Sequence, residues 1–143
     1  MSTLKLDITY NFDFNLIGIV CADRGYKLAW RLNQLLSLHL VCCPEIAMEF
    51  SGGERLKLNV FEFHTENDSY QLIRNRGMGY GAGDREQRLL PEVREFDYFL
   101  RIDNYTGSID IAYIEQLVRQ LPSVAYCRQL NPEDLRDREN LLF

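Results

Sequence analysis

Several features are scarce or absent in this chain of 143 residues. No run of about 18 apolar residues is present, which excludes a transmembrane helix. The first ten residues alternate apolar and polar side chains, so we expect a strand there and no secretory signal. Positive charge is also scarce, because 16 Lys and Arg oppose 21 Asp and Glu for a net charge of −5. That balance argues against a protein that grips nucleic-acid backbones. We therefore expect a soluble, cytoplasmic protein without membrane or nucleic-acid partners.

Cysteine is sparse and lacks the spacing of a metal site. The four cysteines are Cys21, Cys42, Cys43 and Cys127. None forms a C-x-x-C pair, and each lies in or next to an apolar run, which is typical of small core residues. The two histidines, His39 and His64, are far apart in the sequence. In a reducing compartment the cysteines stay unpaired, so we predict no disulfide, no metal and no cofactor.

The remaining composition is that of a well-packed domain. Hydrophobic residues make up 46% and aromatic residues 12% of the chain, which is enough for one core. We therefore predict a single α+β domain over residues 1–143. Apolar periodicity predicts helices from Asp23 to Leu36, with Asp23 as the N-cap, and from Ser108 or Thr106 to Leu121. A short C-terminal helix is predicted from Pro132 to Phe143.

Strand patterns account for most of the rest. They are predicted over residues 4–10, 12–21, 38–43, 46–50, 56–64, 70–76, 96–102 and 124–127. Ser51–Glu54 has the glycines of a hairpin turn, and the change of phase after Val60 predicts a bulge or burial on two sides. Gly77–Leu90 carries four glycines and is predicted as a loop. The sheet is therefore mainly antiparallel, with a meander in the middle.

The two ends of the chain share one pattern. Phe12–Cys42 and Phe96–Cys127 each start with an aromatic-Asp-aromatic triplet and continue as strand, helix and strand. Right-handed crossovers allow two such units to share a sheet with both helices on one face. We predict ferredoxin-like β-α-β halves that the meander joins.

Leu90–Tyr98 (LPEVREFDY) resembles the motif that names the IPExxxVDY family of small bacterial proteins. Pro91, Glu92, Asp97 and Tyr98 match that motif, whereas Leu90 and Phe96 replace its Ile and Val. The resemblance extends to the length and order of the chain. It implies no known activity, cofactor or catalytic residue.

A more local likeness covers Leu16–Val41. Its apolar strand, the Asp23-Arg24-Gly25 turn and the following helix are similar to the opening of an ACT domain. ACT domains are regulatory modules that bind amino acids or other small metabolites, usually between subunits. This likeness implies a metabolite-binding role.

Four arginines bracket the glycine-rich segment. Arg74, Arg76, Arg85 and Arg88 form a basic cluster in an acidic protein, and they are candidate ligands for an anion. The alternative is a solvated loop. A dinucleotide site is not expected, because no crossover helix follows the glycines to hold a pyrophosphate.

The motif segment supplies the candidates for chemistry. Glu92 and Asp97 could act as acid and base beside Tyr98 if a cleft brings them together, or all three could be structural. No Ser/His/acid or Cys/His arrangement is visible in the sequence.

Interface candidates are Trp30, which lies off the apolar stripe of its helix, and Leu135, Leu142 and Phe143 at the C-terminal end. The second face of the sheet needs a cover, either a second copy or this tail folded back. Our leading hypothesis is a non-enzymatic regulatory or interaction module that forms a homodimer and binds a small molecule. The alternative is a small enzyme that uses the Leu90–Tyr98 motif.

Overall fold

The computed structural model describes residues 13–43, 46–49, 55–80 and 87–141, with backbone alone for 46–49, 55–57, 76–80 and 87. An open, six-stranded antiparallel sheet has the order β10-β1-β9-β6-β5-β2, and a smaller sheet has the order β3-β4-β7-β8. The strands are β1 Asn15–Cys21, β2 Val41–Cys42, β3 Ile46–Glu49, β4 Arg55–Leu58, β5 Val60–His64, β6 Asp68–Arg74, β7 Arg76–Tyr80, β8 Gln87–Arg88, β9 Tyr98–Asn104 and β10 Val124–Leu130. The helices are α1 Gly25–Leu36 and α2 Ile111–Arg119. The predicted α+β class and antiparallel sheet are confirmed.

Both helices pack on the same face of the six-stranded sheet. Leu28 and Leu32 of α1 and Val118 of α2 are fully buried in one cluster with Ile17 and Leu100 of the sheet. The predicted apolar stripes are the cause, since residues three and four apart share one side of a helix.

The helix starts differ from those predicted. Arg24, not Asp23, precedes α1, and it makes no side-chain capping bond. The Asp23 carboxylate instead accepts from Arg31 Nε at 3.1 Å. At α2 the cap is Asp110, whose carboxylate accepts from Tyr113 N at 3.2 Å. Because the Asp23 carboxylate is paired with Arg31, it does not cap α1. Asp110 lies directly before α2 and caps it.

The predicted strand 56–64 is two strands. β4 and β5 are separated at the exposed Asn59, and they belong to different sheets. The predicted change of face therefore reflects a change of sheet.

The prediction of a loop over Gly77–Leu90 is wrong in part. β7 runs from Arg76 to Tyr80 and pairs with β4, and β8 pairs with β7. Backbone hydrogen bonds form this ladder without an apolar pattern in the side chains, and glycine does not prevent it.

The second face of the six-stranded sheet is covered in part by residues 89–96 and the C-terminal segment. Leu89, Leu90 and Leu141 are fully buried there, and Leu135 is 5% exposed. The segment expected as one helix from Pro132 forms two 3-10 turns, Pro132–Asp134 and Arg138–Leu141. Leu135 between them is extended, and Arg101 Nη1 donates to the carbonyl oxygen of Leu141 at 2.7 Å. This C-terminal segment is therefore held by contacts with the sheet and not by the hydrogen bonds of a continuous helix.

In the strand order, strands of the central meander lie between parts of the two predicted β-α-β halves. β9, α2 and β10 enclose β1, because β1 lies between β9 and β10. β2, which follows α1, lies at the opposite edge, with β9, β6 and β5 between it and β1. The predicted strand 4–10 and the turn Ser51–Glu54 lie outside the described residues.

Candidate functional site

The Glu92 side chain joins the motif segment to the C-terminal segment. Glu92 lies in a 3-10 turn, Pro91–Val93, and its Oε1 accepts from Asp137 N at 2.8 Å. Partial burial opposes ionisation, but the backbone N–H groups of Arg136 and Asp137 outweigh it and lower the pKa of Glu92. Glu92 therefore holds the chain's own backbone as a carboxylate.

Asp97 and Tyr98 join β9 to the turn that follows β1. Asp97 Oδ2 accepts from Cys21 N at 2.9 Å, and the Tyr98 hydroxyl donates to the Asp23 carbonyl oxygen at 2.5 Å. Tyr98 is 2% exposed, and burial raises its pKa to about 12 although the charge of Arg74 acts in the opposite direction. Among the described residues no hydrogen bond links Glu92 to Asp97 or Tyr98, so the three motif side chains contact separate backbone segments.

Asn75 is a fully buried polar residue that the sequence analysis missed. Its Oδ1 accepts from Leu90 N at 2.8 Å, and its Nδ2 donates to Phe96 O at 2.9 Å. Its backbone N–H donates to Asp97 O at 2.9 Å. Asn75 thus fastens the motif segment to the end of β6. An asparagine between two arginines has no pattern that reveals such burial.

A cleft of about 550 Å³ opens on the helix face of the sheet, at the start of α1. Its lining residues are Arg24, Gly25, Tyr26, Cys42, Asn59, Phe61 and Arg74. A Cβ at Gly25 would lie 2.9 Å from Asn59 Oδ1 and 3.1 Å from Phe61 Cε1. Glycine therefore allows α1 to begin in close contact with β5, which forms one wall.

The cleft is positively charged. Its described lining contains two arginines and no acid. The first turn of α1 also carries no acidic residue, and the side chain of Arg24 leaves its backbone N–H groups uncapped. Guanidinium groups and a helix N-terminus both favour anions. The Arg24 carbonyl oxygen accepts from Lys27 N and Leu28 N, both at 3.0 Å, which fixes this residue at the helix start.

The predicted arginine cluster is placed as follows. Arg74 lines the cleft, whereas Arg88 lies on β8 in the smaller sheet. The backbone of Arg76 lies on β7, with its side chain outside the description, and Arg85 lies outside the described residues. The residue that joins Arg74 at the cleft is Arg24, which sequence reasoning did not select. Its position directly before a helix was the available signal.

A Ser/His/Glu arrangement is present, contrary to the interpretation of the sequence. His64 Nδ1 lies 2.8 Å from Ser69 Oγ, and His64 Nε2 lies 2.9 Å from Glu62 Oε2. Cys43 Sγ donates to Glu62 Oε1 at 2.7 Å, and burial together with that carboxylate raises the pKa of Cys43 to about 12. His64 and Ser69 are cross-strand partners on β5 and β6, which was the missed signal. Ser69 is only 3% exposed, so its hydroxyl is closed to substrate.

The interface candidates differ in exposure. Trp30 is 57% exposed on α1, one turn after Tyr26, which is 66% exposed. Leu135 is buried within its own chain, and Leu142 and Phe143 lie outside the described residues.

Comparison with protein-family models, curated proteins and solved structures finds no match. The resemblances to the IPExxxVDY family and to the ACT opening therefore stay predictions. Within the described ranges, neither helix is long and apolar enough to cross a membrane. The described side chains include no group of three or more His, Cys, Asp or Glu that could hold a metal ion.

Proposed function

We propose that this chain is a non-enzymatic regulatory or interaction module whose cleft at the start of α1 binds a small anionic metabolite. One observation carries the proposal: Arg24 and Arg74 line the same cleft, and no described lining residue is acidic. The two arginines come from a helix start and a strand end that are 50 positions apart in sequence. The fold therefore places two basic side chains around one cleft, which favours an anionic ligand.

The chemistry of the cleft supports an oxyanion ligand. A guanidinium group offers several donors in a planar fork and matches phosphate or carboxylate oxygens. The volume of about 550 Å³ is in the range of small-molecule sites. Tyr26 and Phe61 add aromatic surface to the lining, so the ligand we propose carries an anionic group on an apolar or aromatic body.

The dimer is part of the same proposal. Tyr26 lines the cleft, and Trp30 follows it one turn later on α1, also exposed. Exposed aromatic side chains are enriched in protein interfaces. A homodimer that uses this helix would place a second copy beside the ligand. We also propose a cytoplasmic location, ferredoxin-like β-α-β halves and membership of the IPExxxVDY family.

The binding test is a calorimetric screen of phosphorylated and carboxylated metabolites. We expect binding by the unaltered chain, and we expect Arg24→Gln and Arg74→Gln each to weaken it about tenfold. Arg94→Gln is the matched control, because Arg94 is exposed and does not line the cleft. A screen without any bound anion would overturn the proposal, and so would equal losses in the cleft variants and the control.

The dimer test is sedimentation equilibrium with and without the ligand found. We expect a dimer that Trp30→Ala weakens, with no loss of thermal stability, because Trp30 is 57% exposed. A monomer at all concentrations would remove the dimer from the proposal and leave the anion site in place.

A further inference from the structure

The turn that carries Arg24 is held by the motif segment. The Tyr98 hydroxyl donates to the carbonyl oxygen of Asp23, the residue directly before Arg24, at 2.5 Å. Asp97 Oδ2 accepts from Cys21 N at 2.9 Å, two residues earlier. The last residue of β1 and the link that follows it are thus bonded to Asp97 and Tyr98, at the start of β9.

The opposite side of the cleft is tied to the same two residues. Arg74 is the cross-strand partner of Tyr98 in the β6–β9 ladder. The N–H of Asn75, directly after Arg74, donates to the Asp97 carbonyl oxygen at 2.9 Å. One dipeptide therefore contacts the backbone next to both cleft arginines.

We infer that Asp97 and Tyr98 are positioning residues that set the separation of Arg24 and Arg74, so that the cleft selects an oxyanion that contacts both guanidinium groups, such as a phosphate monoester. This inference rests on the proposed anion site and adds its geometry. Tyr98 is 2% exposed and its hydroxyl is bonded to backbone, so it acts through Arg24 and not by contact with the ligand. It also gives Asp97 and Tyr98 of the motif a shared role that needs no acid/base chemistry.

Cys42 provides a probe of the cleft that needs no identified ligand. Of the four thiols, all in the described part of the chain, Cys42 is exposed and lines the cleft, whereas Cys21 and Cys127 are buried. We would compare its reaction rates with 5,5′-dithiobis(2-nitrobenzoate), an anionic disulfide, and with the neutral 4,4′-dithiodipyridine. Both reactions exchange a thiol for a disulfide and release a chromophore. The ratio of the anionic to the neutral rate reports the positive potential at Cys42.

All variants carry Cys43→Ser, which removes the Cys43 thiol and keeps a hydroxyl donor for Glu62. A Cys42→Ser variant shows which part of the thiol reaction comes from Cys42. We expect Arg24→Gln combined with Arg74→Gln to lower the rate ratio about tenfold. Tyr98→Phe should lower it about threefold while the protein stays folded by circular dichroism. Tyr70→Phe is the matched control: it removes another buried hydroxyl, bonded to Asp68, from the same face of the sheet, and should leave the ratio unchanged.

A second test compares two substitutions of Asp97, and it stays informative if both lower the stability of the fold. Asp97→Asn and Asp97→Ala both remove the negative charge, but only Asp97→Asn keeps an oxygen that can accept from Cys21 N, so the ratio should be lower in Asp97→Ala than in Asp97→Asn. The phosphate-monoester preference is tested by calorimetry with phenyl phosphate and benzoate: the unaltered chain should favour the phosphate, and Tyr98→Phe should reduce that preference.

The outcomes separate the two proposals. If the double arginine variant lowers the rate ratio and Tyr98→Phe does not, the positioning role is overturned and the anion site stands. If the double arginine variant leaves the ratio unchanged, the cleft attracts no anions and both proposals fail. Equal effects of Tyr98→Phe and Tyr70→Phe would also overturn the positioning role, since a general loosening would explain them.

Discussion

The ring of Phe96 lies directly against Gly18 in the middle of β1. A Cβ at Gly18 would lie 2.7 Å from Phe96 Cδ1, closer than any real side chain approaches. Phe96 is 1% exposed, and Tyr126 stacks on its outer side with ring centroids 6.2 Å apart. Gly18 therefore makes room for the aromatic residue that anchors the motif segment on the second face of the sheet.

Replacement of this glycine should destabilise the fold. We expect Gly18→Ala to lower the free energy of unfolding by about 1–3 kcal/mol, because the added methyl displaces a packed ring. Urea denaturation measures the change. In a Phe96→Ala background the same substitution should cost much less, since the ring is gone. Equal costs in both backgrounds would show that Phe96 is not the reason for the glycine.

Asn75 should be among the most sensitive polar positions. Asn75→Ala removes three side-chain hydrogen bonds, of which the one to Val93 O is long at 3.4 Å, and it takes the partner from the buried Leu90 N and Phe96 O. We expect a loss of about 3 kcal/mol in the free energy of unfolding. Asn131→Ala, which removes an exposed bond to Glu133 N, should cost about 1 kcal/mol or less. Similar costs at both positions would contradict the central role of Asn75.

Local patterns predicted the helices and most strands of this fold. The stripe that contains Leu28 and Leu32 is buried as expected, because periodicity reports which side of a helix faces apolar neighbours. β7 escaped prediction because its stability comes from pairing with β4, a non-local contact that leaves no local pattern. The C-terminal helix failed for a similar reason, since Arg101 and Glu92 bind that segment from elsewhere in the chain.

The candidate site was predictable only in part. Arg74 was selected from charge clustering, but the other arginine at the cleft is Arg24, and the two line the same cleft because β1 and β6 flank β9 in the sheet. The sequence identifies Asp97 and Tyr98 as candidates but does not reveal which groups they bind. Both bind backbone atoms, which every residue has. Strand register decides which backbone atom faces each of these side chains.

Glu92 should make stability depend on pH. Its pKa is lower in the folded chain than the ordinary 4.5, because the N–H groups of Arg136 and Asp137 outweigh the effect of burial. A group with a depressed folded pKa stabilises the fold above its unfolded pKa, and this contribution is lost as the pH falls through the folded value. The stability difference between the unaltered chain and Glu92→Gln should therefore be full at pH 6 and shrink below about pH 4.5.

Urea denaturation from pH 7 to pH 3 measures this difference. Glu95→Gln is the control, because Glu95 is an exposed acid in the same segment. A Glu92→Gln difference that does not change with pH would show that the carboxylate charge plays no part in holding Asp137.

Among the described strands β10 lies at an edge of its sheet, and side chains of α2 occupy its outer side. Glu115 Oε2 accepts from Gln129 N at 2.6 Å, and Arg119 Nη2 donates to Cys127 O at 3.1 Å. The two side chains also pair with each other at 2.9 Å. Because β10 is the outer strand of the six-stranded sheet, these bonds occupy backbone groups that would otherwise accept another strand.

We therefore expect Glu115→Ala combined with Arg119→Ala to promote association beyond the state of the unaltered protein. The double variant removes one acid and one base, so the net charge stays the same and only the edge is uncovered. Light scattering over a concentration series should show growth in the variant. Arg94→Ala combined with Glu95→Ala makes the same charge change at exposed positions, whose side chains are not among the described ones that bond the β10 backbone, and it should show none. Growth in both variants would point to a general solubility effect, whereas growth in neither would mean that other features protect the β10 edge.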